Sequence, residues 1–152
     1  MLASSAAEQD YCYFEVRLVD LPPDADFSVG VARQSQEPLK DFAQGNLGAA
    51  GEPGWGLSAS TMASLEMRAG DVIGVYIDQS GAPRVDFALN GKRLGPDYAL
   101  PRSKAEEIRG QIYPAVSVGN GASLECVFDE AHFKHLSPTE SFKSIIVARE
   151  ML

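Results

Sequence analysis

The sequence has little cysteine and no long apolar segment. Only Cys12 and Cys126 occur among 152 residues, which is too few for the disulfide framework of a small secreted domain. The first residues carry neither the basic start nor the apolar stretch of a secretory signal, and no later run is long enough to cross a bilayer. We therefore expect a cytoplasmic protein whose two cysteines are reduced and buried in strands, with a disulfide in a secreted form as the alternative.

Basic residues are also scarce. The chain has 13 Lys and Arg against 21 Asp and Glu, a formal net charge of -8. A net negative charge repels phosphate backbones and anionic lipid. This balance argues against nucleic acid or a membrane surface as the partner.

The patterns of common catalytic and cofactor sites are missing as well. There is no Gly-x-Ser-x-Gly elbow for a nucleophilic serine, and the glycine-rich stretch 51–56 lacks the spacing and the lysine of a phosphate loop. His132 and His135 have no third ligand at metal-site spacing. Asp78 and Asp86 are better explained as structural or solvated side chains than as a glycosidase pair. The sequence predicts no enzyme activity, no cofactor and no metal site.

β-strand patterns fill most of the chain. Residues 71–78 and 84–89 are two apolar runs joined by a short turn, and Asn90-Gly91 closes the second run. Asn-Gly favours a two-residue hairpin because both turn residues need positive φ. The run 72–77 is apolar on both faces, which places it centrally, and Gly74 within it lets a backbone or a large ring approach closely. Elsewhere apolar and polar residues alternate, as in half-buried strands. These patterns predict an all-β, antiparallel sandwich.

Loops and a change of period complete the organisation. Long irregular stretches at 34–60 and 95–110 are of the kind that often carries function. At the C-terminus, Ser137–Glu140 forms a capping box with proline at the first helical position, and helical spacing follows. We expect one domain over 1–152, with a core at about 11–133 and a short C-terminal helix or extension at 137–152. Pro114, inside a strand-like run, predicts an edge strand or a bulge.

Six motifs follow one another in the order and spacing of a known family. They are Tyr13–Val16, Val29–Ala32, Gly54–Gly56, Gly70–Val75 with Asp78, Phe87-x-x-Asn90-Gly91, and Ile112–Val116. Together they resemble a SPRY domain over about residues 11–133. The resemblance implies a concanavalin-like jelly roll that acts as a non-enzymatic interaction module and binds a peptide or partner surface through loops at one end.

One departure from the family pattern concerns the N-terminus. SPRY domains usually carry one or two strands before the element at Tyr13–Val16, and the residues before it here are too few and too polar to supply them. We therefore expect those strands to be missing, either because the chain is a truncated form or because the sandwich has an open edge. An open edge invites strand addition, so a homodimer through it is an expectation.

Partner binding is expected from three segments. Trp55, the single tryptophan, lies among glycines at the end of a long loop, where it is either a core plug or an aromatic anchor for a peptide. In SPRY domains that bind short peptides, the loop matching 119–121 forms part of the pocket, although Asn120 here replaces the aromatic residue often found there. The third segment is the N-terminal one. The candidate partner-binding residues are Trp55, Gly119, Asn120, Gly121, Ser5, Glu8 and Gln9.

A glycan-binding lectin-like domain, intracellular or secreted, is the alternative from a different class. Jelly-roll lectins share this β pattern, and they use Trp and Asn to stack on sugars and to hydrogen-bond them. The intracellular use of cysteine argues against this alternative.

Overall fold

The computed structural model describes residues 10–33, 54–60, 63–106, 110, 112–136 and 141–145. Within these ranges the chain forms two antiparallel sheets, so the predicted antiparallel β-sandwich is confirmed. No helix among these residues is long and apolar enough to cross a membrane. The elements are β1 (Tyr11–Asp20), β2 (Asp26–Ala32), β3 (Gly54–Ser58), β4 (Val72–Asp78), β5 (Arg84–Leu89), β6 (Lys92–Arg93), α1 (Arg102–Ala105), β7 (Tyr113–Gly119) and β8 (Ser123–Val127).

The two sheets enclose one apolar core. The larger sheet has the strand order β6-β5-β4-β1-β8, and the smaller has the order β3-β2-β7. β4 lies between two neighbours and is buried from Val72 to Ile77, which confirms the central position predicted from its apolar run. The largest fully buried apolar side chains of the core are Phe14, Phe87, Leu18, Leu57, Ile73, Ile77 and Ile112.

In the described part of the chain the sheets end at β6 and β8 and at β3 and β7. β1 is hydrogen-bonded to β4 on one side and to β8 on the other, so no edge opens beside it. In the described part of the chain the smaller sheet ends at β7, which contains Pro114. An edge position tolerates a residue that cannot donate to the ladder, and the prediction for Pro114 is confirmed. Dimerisation through a sheet edge stays a prediction.

The C-terminal segment departs from the predicted helix. The capping box at 137–140 lies outside the described residues, and residues 141–145 are not helical. Lys143 instead forms a parallel bridge with Cys12, and the Tyr13 N–H donates to the Lys143 carbonyl at 2.8 Å. Phe142 packs edge-on against the rings of Tyr11 and Tyr76. These contacts with the larger sheet override the local helical spacing.

The Asn90-Gly91 turn between β5 and β6 has the backbone that its sequence predicts. Asn90 and Gly91 have φ of 50° and 85°, and both values are positive as a type I′ turn requires. The Asn90 carboxamide ties this turn to the start of β4: its oxygen accepts from the Val72 N–H at 2.9 Å, and its nitrogen donates to Asp71 at 3.0 Å.

Gly91→Val should lower the free energy of unfolding by about 1–2 kcal/mol, because a β-branched residue is strained at positive φ. A Cβ at position 91 would also lie 3.2 Å from His135 Nδ1. Chemical denaturation measures the loss. Gly81→Val is the matched control, since nothing lies within 4 Å of a Cβ at Gly81 and its φ is not positive. Equal midpoints for the two variants would contradict the turn assignment.

Candidate functional site

The turn from β7 to β8 lies at one end of the sandwich. The Ala122 N–H donates to the Gly119 carbonyl at 3.1 Å, and Asn120 and Gly121 have φ of 53° and 83°. This backbone resembles that of Asn90-Gly91, and the Asn-Gly dipeptide carries the same sequence signal at both places. The turn therefore holds Asn120 in one defined backbone conformation.

The turn from β1 to β2 lies beside it. A Cβ placed on Gly121 would be 3.2 Å from Cγ of Pro22, and one on Gly119 would be 3.8 Å from Cβ of Asp26. Asp26 also pairs with Gly119 in the sheet. The two turns form one continuous surface, which we call the turn surface and define by residues 22–26 and 118–122.

The turn surface exposes apolar and polar groups side by side. Val118 is 47% exposed, although Val116 of the same strand is buried. Pro22 and Pro23 are exposed as well. The Asn120 side chain is exposed, and no described residue hydrogen-bonds its amide, so both its donor and its acceptor are available to a partner.

Trp55 lies away from the turn surface. It pairs with Val31, five residues along β2 from the Asp26–Gly119 pair, which at about 3.3 Å per residue is a separation of roughly 16 Å. Trp55 is half-buried against the apolar core, and its buried indole nitrogen has no hydrogen-bond partner among the described residues. Of the two roles that the sequence left open, this packing favours the core plug.

The remaining predicted site residues are Ser5, Glu8 and Gln9, and they lie outside the described residues. The structure thus places Gly119, Asn120 and Gly121 together and holds Trp55 apart from them. The apolar group beside Asn120 is Val118, which is exposed.

A buried carboxylate is the polar feature that the sequence did not predict. Glu15 has no exposed surface. Its side chain nevertheless lies on the outer face of the larger sheet, the face that is turned away from the core. Its carboxylate accepts three hydrogen bonds: from the Tyr13 hydroxyl at 2.7 Å, from the Lys134 N–H at 2.8 Å and from the His135 N–H at 2.9 Å. Burial, together with the bond to Glu15, raises the pKa of Tyr13. Through these hydrogen bonds, Glu15 holds the chain near residues 134–135 against the larger sheet.

Aromatic side chains also attach the C-terminal part of the described chain to the larger sheet. Tyr13, Tyr76 and Ala88 form a second buried cluster on the outer face of the larger sheet, and Phe133 and Phe142 pack against it. The ring centroids of Tyr13 and Phe133 are 5.0 Å apart, and those of Tyr76 and Phe142 are 5.1 Å apart. These edge-on geometries are favourable for aromatic pairs. The outer face is thus a second packed layer rather than a solvated one.

The reactive groups of the described residues are not arranged for catalysis by a thiol or for metal binding. Cys12 and Cys126 are both free. Burial raises the pKa of the Cys12 thiol to about 12 and raises that of Cys126 as well. A raised pKa suppresses the nucleophilic thiolate. Within the described ranges no three His, Cys, Asp or Glu side chains gather as metal ligands would.

Comparisons with known proteins point to one family. Residues 11–131 match the family model of the SPRY domain. Among solved structures, the crystal structure of the SPRY domain of human HERC1 is similar, with a TM-score of 0.58 and 18% sequence identity. That likeness covers 83% of this chain and 79% of the other, and at such identity it shows a shared fold. No match was found among curated protein sequences.

Proposed function

The chain belongs to the SPRY domain family, whose members generally act as protein–protein interaction modules, and on this premise we propose that its turn surface binds a peptide segment of another protein without catalysis. The observation that carries the proposal is the exposed Val118 beside the unbonded amide of Asn120. The family match gives the glycan-binding alternative no support.

Rigidity makes these two residues suitable for recognition. Val118 is paired in a strand, and Asn120 sits in a tight turn, so little conformational freedom is lost when a partner binds. An apolar anchor with an adjacent amide donor and acceptor suits an extended peptide, which offers apolar side chains together with unpaired backbone groups.

The charge of the turn surface indicates which kind of peptide it would bind. Asp20, Asp24 and Asp26 lie on or beside the turn surface, and they give it a negative potential. Complementary charge favours a peptide that carries Lys or Arg next to its apolar residue. We place this interaction in the cytoplasm, where the two free cysteines would stay reduced.

Within the family, the segments 108–114 and 124–128 resemble most the small stand-alone member, SPRY domain-containing protein 7. Part of the first segment lies outside the described residues. This finer placement stays a prediction.

The double variant Val118→Thr/Asn120→Gly should capture at least about fivefold less partner protein than the wild type, because it loses the apolar anchor and the amide. Affinity capture from a cell lysate with quantitative mass spectrometry measures the difference. Glycine fits the φ of 53° at position 120, whereas alanine there would be strained by about 1–2 kcal/mol. The double variant should therefore keep the thermal stability of the wild type.

The control for this experiment is Ser80→Gly, an exposed change in the turn between β4 and β5 at the opposite end of β1. It should capture every partner at the wild-type level. Wild-type capture by the double variant would contradict the proposal. Unchanged protein partners combined with lost binding on a glycan array would favour the lectin alternative instead.

A further inference from the structure

A cavity of about 850 Å³ lies beside β5, on a different part of the sandwich from the turn surface. Residues 82–87 line it together with residues from the following stretch 93–106, which is hydrogen-bonded to β5 through the Leu100 N–H and the Val85 carbonyl at 3.0 Å. Arg84, at the β5 end of the cavity, pairs with Asp78, which pairs with Tyr11 at the start of β1. The turn surface follows the other end of β1, so the two sites are separate.

The cavity combines apolar walls with a cationic rim. Pro96, Ala99 and Leu100 contribute apolar surface. Three arginines, Arg84, Arg93 and Arg102, also line it, together with the carboxylates of Asp86 and Glu106. Three of the 13 basic residues of a chain with net charge -8 therefore border one cavity.

The three arginines differ in the contacts that their guanidinium groups make. The Arg93 guanidinium lies 3.3 Å from the centroid of the Tyr76 ring and 4.0 Å from the Asp86 carboxylate, so the fold fixes its position. Arg84 and Arg102 are exposed, and no carboxylate among the described residues lies within 4 Å of either one. Two guanidinium groups at the rim are therefore without an acidic partner from the described chain.

We propose that this cavity binds a short acidic segment of a partner protein, with Arg84 and Arg102 pairing with its carboxylates. A guanidinium group matches the geometry of a carboxylate with two parallel hydrogen bonds, which favours this class of ligand over an isolated apolar peptide. The volume falls in the range of ordinary ligand pockets. The apolar walls take the aliphatic parts of the segment.

Fluorescence anisotropy with the full chain tests the proposal. The probe is a labelled eight-residue peptide of Asp and Glu, and the matched peptide carries Asn and Gln at the same positions. We expect the acidic peptide to bind at least about tenfold more tightly than the amide peptide. Equal binding of both peptides, or no binding of the acidic one up to about 1 mM, would overturn the proposal.

Paired variants locate the interaction. Arg84→Gln/Arg102→Gln should weaken binding of the acidic peptide by about tenfold or more. Arg33→Gln/Arg68→Gln removes the same charge from exposed residues that do not line the cavity, and it should change the affinity by less than about twofold. A similar loss of affinity in both double variants, or no loss in the first, would contradict the assignment of Arg84 and Arg102 as the residues that bind the peptide.

One further variant separates this site from the turn surface. Asn120→Gly should bind the acidic peptide like the wild type, because Asn120 does not line the cavity. Loss of acidic-peptide binding in Asn120→Gly would contradict a separate site. The proposed function can fail in the capture experiment while this cavity still binds acidic peptide, so the two failures are distinguishable.

Discussion

Glu15→Ala is expected to lower the free energy of unfolding by about 3–5 kcal/mol. The substitution leaves three donors without an acceptor: the buried Tyr13 hydroxyl and the part-buried backbone N–H groups of Lys134 and His135. It also opens a void, because Glu15 has no exposed surface. Water cannot reach the Tyr13 hydroxyl without local opening, and the N–H groups of Lys134 and His135 lose their hydrogen bonds to the sheet, so the chain near 134–135 should detach before the core unfolds.

Two measurements check this expectation. Denaturation in guanidinium chloride gives the loss of stability, and limited trypsin digestion reports detachment as faster cleavage after Lys134. Glu125→Ala is the matched control on neighbouring β8, where the carboxylate is 55% exposed and pairs with Arg17 at 3.5 Å; it should cost less than about 1 kcal/mol. Indistinguishable midpoints for the two variants would mean that the Glu15 hydrogen bonds contribute little.

Glu15 also shows where prediction from the sequence ends. Period-two alternation assigns Phe14, Val16 and Leu18 to the core, and this is correct because it depends only on strand geometry. The same alternation assigns Tyr13 and Glu15 to the opposite face but does not tell what covers that face. The cover comes from residues more than a hundred positions away in the chain, and no local pattern encodes such a contact.

The candidate site also has some features that local sequence predicts and others that it does not. The Asn120-Gly121 turn is local, and its dipeptide predicts its backbone. The separation of Trp55 from Asn120 depends on the register of β2 with both β3 and β7, which local sequence does not give. The C-terminal helix was predicted from local spacing, and residues 141–145 are not helical because the sheet offers a bridge and ring contacts. The cavity with Arg84 and Arg102 is lined by the single stretch 82–106, but it depends on how residues 93–106 pack beside β5, which local patterns do not give.

Gly74 is a position where a local prediction and a distant contact agree. A glycine inside an apolar run predicts the close approach of a backbone or a large ring, and the ring is that of Tyr13. A Cβ on Gly74 would lie 2.7 Å from the Tyr13 hydroxyl oxygen and 3.0 Å from the nearest ring carbon. Tyr13 is fully buried and held by its hydrogen bond to Glu15, so its ring has little room to move.

Gly74→Val should therefore lower the free energy of unfolding by about 3 kcal/mol or more, as overpacking against a fixed group does. Guanidinium denaturation measures this loss, and Gly81→Val again controls for valine at an open position. A double-mutant cycle identifies the cause. Tyr13→Leu removes the hydroxyl and the outer ring atoms that the new Cβ would meet, so the valine should cost less in that background by about 1–3 kcal/mol. Additive losses would show that the valine acts on β4 itself, and the close approach of Tyr13 would then not be the reason for glycine at position 74.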